Sequence, residues 1–126
     1  MRQLLDTHTF IWFVMGNPRI SENLRSQIEN NDNLLSLVSV WKMAIKHSIG
    51  KLNFNMSFPE FIEQQIINNG IEVIPIAREE IIVVSQLPLH HRDPFDRLLI
   101  AQSIVENIPI LSADTIFDAY PIQRLW

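Results

Sequence analysis

The sequence predicts an α/β fold built on a parallel sheet, and three observations lead there. Short apolar runs alternate with segments of helical length and periodicity, the pattern of βαβ units. With 126 residues and 47% hydrophobic content, the chain has enough apolar material for one compact domain spanning residues 1–126. Four short segments end apolar runs in a similar layout: Leu4-Leu5-Asp6-Thr7-His8, Ser39-Val40-Trp41-Lys42-Met43, Pro94-Phe95-Asp96-Arg97-Leu98 and Leu111-Ser112-Ala113-Asp114. Three of them carry aspartate, and a carboxylate just past a buried strand or in the next helical turn reaches the rim where such sheets bind ligands.

The elements follow in order. Arg2–Leu5 reads as a buried strand, and Thr7–Met15 as a helix stopped at Gly16-Asn17-Pro18. Ser21 caps a helix that runs to about Asn30, with Leu24 and Ile28 on its apolar stripe. Asn31-Asp32-Asn33 reads as a turn and Leu34–Val38 as the second strand, after which Ser39 caps a helix through about Ser48 that Gly50 ends. Lys51–Asn55 is a loop. Ser57-Phe58-Pro59-Glu60 opens a helix with cap, first-turn proline and capping-box glutamate, and Asn69-Gly70 closes it. Glu72–Ile76 is the third strand, Arg78–Ser85 a short helix, Leu87–Asp93 a polar, histidine-containing loop, and Pro94–Glu106 a strongly apolar helix. Ile108–Leu111 is the fourth strand, Thr115–Ala119 a single turn, and Ile122–Leu125 a fifth, edge strand. The sheet thus has four or five strands.

A net charge of −4 gives no global basic field, so any nucleic-acid binding relies on a local patch. With no cysteine, disulfide frameworks, thiolate zinc sites and cysteine nucleophiles are excluded. The opening Met1-Arg2-Gln3-Leu4-Leu5-Asp6 lacks a signal-peptide core, and no apolar stretch nears the ~20 residues of a membrane span. The expectation is a cytoplasmic protein with no membrane partner.

Asp6, Asp96 and Asp114 together make an oxygen-rich set suited to Mg²⁺ or Mn²⁺. Each has a plainer role open to it: Asp6 and Asp114 can cap the segments after them, and Asp96 lies where the helix dipole favours an anion. Asp93, directly before Pro94, reads as a helix cap with a supporting place at the site as its alternative, and Asp118 as a solvated turn residue. Arg92 and Arg97 flank the acids, either to grip phosphate or to orient the aspartates. Lys46 and Lys51 add a small basic patch. His8, His47, His90 and His91 show no zinc spacing, and the adjacent pair His90-His91 points its rings apart, placing that loop near a substrate entrance or a partner. Trp12 and Trp41 read as core or interface residues.

These segments resemble the PIN domain, specifically the VapC-type toxins of toxin–antitoxin pairs. The resemblance runs nearly end to end: Leu4-Leu5-Asp6-Thr7-His8, Ser39–Lys46 with Gly50-Lys51-Leu52, His91–Gln102, Leu111-Ser112-Ala113-Asp114 and the closing Leu125-Trp126. It implies a three-layer α/β/α sandwich and a Mg²⁺- or Mn²⁺-dependent endoribonuclease, with RNA as substrate, a small antitoxin as partner and a homodimeric state. It carries the acidic positions onto Asp6, Asp96 and Asp114, makes Ser112 and Thr7 hydroxyls lining the site, and puts Lys42 where the family usually has glutamate. The apolar burden of Trp12, Phe13, Phe54, Phe58 and Trp126 supports an interaction surface.

Lys42 sets two readings against each other. A lysine among the acids takes the electrostatic place of a metal and weakens the nuclease; alternatively the chain is a catalytically silent PIN fold that binds protein or RNA. A phosphoryl-accepting receiver domain requires paired acids after the first strand and an aspartate after the third. Here Asp6 stands alone and the third strand ends Ile74-Pro75-Ile76-Ala77, so that reading is rejected.

Overall fold

Strand β1 (Arg2–Leu5) is buried because its side chains alternate between two apolar layers. In the computed structural model, which describes residues 1–126, Leu5, Leu35 and Leu111 face one core with Phe10, Phe13, Leu24, Ile28, Met43 and Phe61. Leu4, Leu34 and Ile110 face the other, with Val38, Ile74, Leu98, Leu99 and Phe117. The first layer comes from α1 (Thr7–Val14), α2 (Glu22–Glu29) and α4 (Phe58–Asn69); the second from α6 (Pro94–Glu106), against which α5 (Arg78–Gln86) packs. Helix α3 (Leu37–Ser48) serves both, sending Val38 to one side and Met43 to the other. This is the predicted α/β/α arrangement.

All five strands are parallel, in the order β3-β2-β1-β4-β5, with β2 Asp32–Ser36, β3 Glu72–Ile74, β4 Ile110–Leu111 and β5 Arg124–Leu125. The chain steps outward from β1 to β2 and β3, then returns past β1 to β4. The strand order therefore reverses between β1 and β4, and the carboxyl ends of those two strands form the crevice where α/β sheets take ligands.

Several boundaries move for identifiable reasons. Strand β2 begins at Asp32, not Leu34, because Asn33 pairs with Gln3 across the ladder: Gln3 Nε2 donates to Asn33 Oδ1 at 2.8 Å, and Asn33 Nδ2 donates to the Ile28 carbonyl at 2.7 Å. A sequence that looks like a polar turn is a buried strand start. Helix α3 begins at Leu37, and its cap is Ser36, whose Oγ accepts from Val38 N at 3.1 Å. Ser39 is inside the helix, where its buried hydroxyl accepts from Thr7 Oγ1 at 2.8 Å. Strand β3 stops before Pro75, which has no N–H for a ladder. Before β4, Ile108 is held by the end of α6, its N–H bonding to Ser103 O, and Pro109 again has no donor. The caps at Ser21, Ser57 and Asp93 form as expected. No helix is long and apolar enough to cross a membrane.

The two-sided burial of β1 is testable. Leu5→Ala removes a fully buried side chain from the central strand and should cost about 2–5 kcal/mol in urea denaturation. Ile82→Ala, on the exposed side of α5, should stay within about 0.5 kcal/mol.

Candidate functional site

The crevice at the strand-order reversal is built from the ends of β1 and β4. Asp6 follows β1 directly and is locked in place by two roles. Its Oδ1 caps α1, accepting from His8 N at 2.7 Å and Thr9 N at 3.4 Å, and its Oδ2 accepts from the buried Ser112 hydroxyl. Ser112 Oγ in turn accepts from Asp114 N at 3.0 Å, so one hydroxyl links the two rim aspartates. Thr9 Oγ1 donates to Leu111 O at 2.8 Å and closes the seam between α1 and β4. Asp114 is exposed and caps the 3₁₀ turn Thr115–Ala119 through Ile116 N.

Asp96 enters from the first turn of α6. Its Oδ2 lies 2.8 Å from His91 Nε2. One ring nitrogen of His91 and one carboxylate oxygen each from Asp96 and Asp114 lie within 4.8 Å of one another. Oxygen donors of this kind suit a hard divalent ion, and the imidazole nitrogen adds a softer one, so the residues present fit a divalent-metal site. Asp93 makes a different set of contacts. Its Oδ1 caps α6, accepting from Phe95 N and Asp96 N, while its Oδ2 sits 3.6 Å from Lys42 Nζ. Lys42, from α3, also places its ammonium 5.6 Å from the centre of the Phe95 ring.

Charge at the crevice is mixed. Burial pushes the Asp96 carboxyl up, against the His91 hydrogen bond and the positive charge of Lys42, while the neighbouring Asp93 and Asp6 carboxylates add to the rise. Burial also pushes on Asp93, but the N–H groups of Asp96 and Phe95 and the Lys42 ammonium outweigh it and hold that carboxyl below its ordinary range. Burial lowers His8, with Lys46 and Lys42 adding to the effect and Asp6 and Asp96 opposing it. The field of Lys42 thus reaches the acidic cluster although its direct partner is Asp93.

Arg97 is not a phosphate-binding residue, nor does it orient an aspartate. It is buried, and its guanidinium donates to four backbone carbonyls: Val84, Leu87, Pro88 and His91, at 3.0–3.2 Å. All the loop from the end of α5 to His91 is gathered on it. Arg92, by contrast, is exposed, and Lys46 Nζ lies 3.4 Å from His8 Nε2 beside the crevice. Thr7 is buried against Ser39 and does not face open solvent. Asp118 is more than a solvated turn residue, since it receives a two-pronged ion pair from Arg124, which also donates to Ser112 O. The sequence places the His90-His91 loop near a substrate entrance or a partner but gives His91 no role among the acids. The only local signal for one is a position five residues before Asp96 in a loop leading into a proline-started helix.

The sequence matches the model of the PIN domain over residues 4–123. A comparison with curated proteins returns no match. Among solved structures, the chain is similar to DNA-bound VapBC from Salmonella typhimurium (16% identity, TM-score 0.77, covering 99% of this chain and 97% of that one). It is similar also to VapBC2 from Rickettsia felis bound to a promoter DNA fragment (15%, 0.74, 99% and 98%) and to FitAcB from Neisseria gonorrhoeae (16%, 0.71, 98% and 96%). At these identities the likeness is one of fold.

Arg97→Met should destabilise the protein by about 3–5 kcal/mol, since it strands the Leu87 and His91 carbonyls and takes one of two donors from Val84 O and Pro88 O. It should also open the loop before α6 to limited proteolysis. Arg92→Met should leave both readouts unchanged.

Proposed function

The chain belongs to the PIN-domain family, and from that membership we propose that it is a metal-dependent endoribonuclease toxin of VapC type, acting as one PIN-like domain over residues 1–126 and weakened by Lys42. What supports this reading is the gathering of acids at the strand-order reversal: Ser112 ties Asp6 to the backbone of Asp114, the Asp96 and Asp114 carboxylates come together with His91, and Lys42 from α3 pairs with Asp93 beside them. Mg²⁺ or Mn²⁺ is assigned to Asp6, Asp96 and Asp114. Such an ion supplies charge neutralisation at a phosphate and an activated water.

The chain's own residues have separable roles. Ser112 fixes the orientation of Asp6 and the backbone of Asp114, so the acidic groups need little rearrangement. Exposed Arg92, and Lys46 beside His8, offer the RNA backbone the local basic contact that a chain of net charge −4 requires. Arg97 acts on the loop and takes no part in substrate binding. Lys42 opposes cation binding: one unit charge at ~4 Å is worth about 4 kcal/mol at an effective dielectric near ~20, up to roughly a thousandfold in affinity. The Lys42–Asp93 pair, mostly shielded from solvent, favours the second reading, a silent PIN fold that binds a partner protein or RNA.

Partners are proposed on the same basis. The structures similar to this chain are VapBC and FitAcB assemblies, which, with the VapC-type resemblance, supports a small antitoxin for this chain. A suitable apolar groove runs between α3, α5 and the start of α6, lined by Val38, Trp41, Ile81, Val84, Phe95 and Leu98. Exposed Trp41, Ile45 and Ile49 extend it along α3. The sequence expectation for this surface needs correction, since Phe13 and Phe54 are core residues, whereas Trp41 is 58% exposed. A homodimer and a cytoplasmic location complete the proposal.

Two outcomes are expected. The unmutated protein should cut structured RNA poorly, while Lys42→Glu, which replaces a cation by an anion at the site, should cut it well with Mg²⁺ or Mn²⁺. Asp6→Asn or Asp96→Asn should abolish that gain; equal cleavage by both forms would show that Lys42 is no obstacle, and none by either would favour the silent reading. Sedimentation should show a pair of 14.7 kDa chains, and a strict monomer at high concentration would remove the dimer.

A further inference from the structure

We infer that His91 is itself a metal ligand, through Nε2, and that with Asp96 and Asp114 it turns the site toward first-row transition ions and away from Mg²⁺. The inference rests on the metal-dependent reading above and concerns which ion the site holds.

The geometry is close to what one ion needs. Two donors on a single ion at ~2.1 Å each lie about 3 Å apart when adjacent and about 4.2 Å when opposite, so a ring of donors within 4.8 Å closes by side-chain movements of roughly 2 Å or less. His91 is also the best-fixed member of that ring. Its N–H donates to Tyr120 Oη at 2.8 Å, and Tyr120 Oη donates to Pro88 O at the same distance. Its carbonyl accepts from Arg97 Nη1 at 3.1 Å, and its ring meets Phe117 edge-on at 6.2 Å. Tyr120 and buried Arg97 fix the backbone of His91, Phe117 meets its ring, and Nε2 faces Asp96. Nε2 and Asp96 Oδ2 share one proton in a hydrogen bond, and an ion that takes both atoms displaces that proton to solvent, leaving the ring neutral with its N–H on Nδ1.

The chemical consequence concerns selectivity. Mg²⁺ prefers an all-oxygen octahedral shell, and nitrogen ligands strengthen binding in the order Mn²⁺ to Co²⁺. Lys42 accentuates the effect, because the position expected to supply a further oxygen supplies an ammonium instead. A site short of carboxylate at that corner gains more from a neutral nitrogen donor.

The test is calorimetric titration of Mg²⁺, Mn²⁺ and Co²⁺ into the full chain and into Lys42→Glu, each with and without His91→Asn, with circular dichroism to verify folding. His91→Asn should weaken Mn²⁺ by about tenfold and Co²⁺ by more, while Mg²⁺ changes little, because only the former ions draw on the nitrogen. Equal losses for all three ions would mean that His91 only positions Asp96, and unchanged Mn²⁺ and Co²⁺ affinity in a folded variant would remove it from the site; either overturns the inference. Should His91→Asn fail to fold, the ¹⁵N-labelled unmutated chain decides: diamagnetic Zn²⁺ should move the His91 ring Nε2 resonance to that of a metal-bound nitrogen with the N–H on Nδ1, and an Nε2 that keeps its N–H would overturn the inference. Ion binding that depends on His91 without RNA cleavage by Lys42→Glu would leave this inference standing and remove the nuclease. Cleavage by Lys42→Glu with ion binding indifferent to His91 would do the reverse.

Discussion

Strand β1 has no free side. β2 and β4 take its two edges and helical layers cover both its faces, so its length, register and exit point are set by four neighbours at once. A parallel ladder satisfies its backbone, and the alternation of Leu4 and Leu5 divides its side chains between the two cores. The position of Asp6 is the product of those constraints. So is that of Ser112, because the pairing of Leu5 with Leu111 brings the ends of the two strands level. Polar atoms placed by a rigid apolar frame need no separate scaffold, and the hydrogen bonds around Ser112 then organise the rim at small conformational cost.

The loop before α6 solves a different problem. It has no strand to lean on, and its carbonyls point inward, where they must be satisfied. A single guanidinium does this for four of them, which is possible because its five N–H groups are fixed in a plane. The result is an ordered approach to Asp93, Asp96 and His91 from a segment whose sequence reads only as a polar loop. Stability and site geometry are coupled there through one buried side chain.

Lys42 and Asp93 form a partly buried pair adjacent to the acidic cluster, and its effects extend beyond the pair. The ammonium is held by Asp93 and by the face of Phe95, yet its charge is felt at Asp96 and at His8. Asp93 meanwhile commits its other oxygen to the start of α6. A lysine at this corner is therefore accommodated by the structure around it, not merely tolerated in solvent.

The layered α/β fold was legible in the chain because its signals are local: alternation of apolar runs and helical stripes, serine and aspartate caps at Ser21, Ser57 and Asp93, and glycine at the end of α4 in the left-handed conformation. The aspartates at the ends of β1 and β4 and at the start of α6 were legible for the same reason, since position along an element predicts which rim a side chain reaches. Tertiary structure alone decided the inward turn of Arg97, the place of His91 beside Asp96 and Asp114, the burial of Asn33 and Ser39, and the exposure of Trp41. Each depends on partners from other elements, among them the carbonyls before α6, the rim after β4, and the hydroxyl of Thr7. Polar side chains have several ways to be satisfied, and only the folded arrangement of distant donors and acceptors selects one of them.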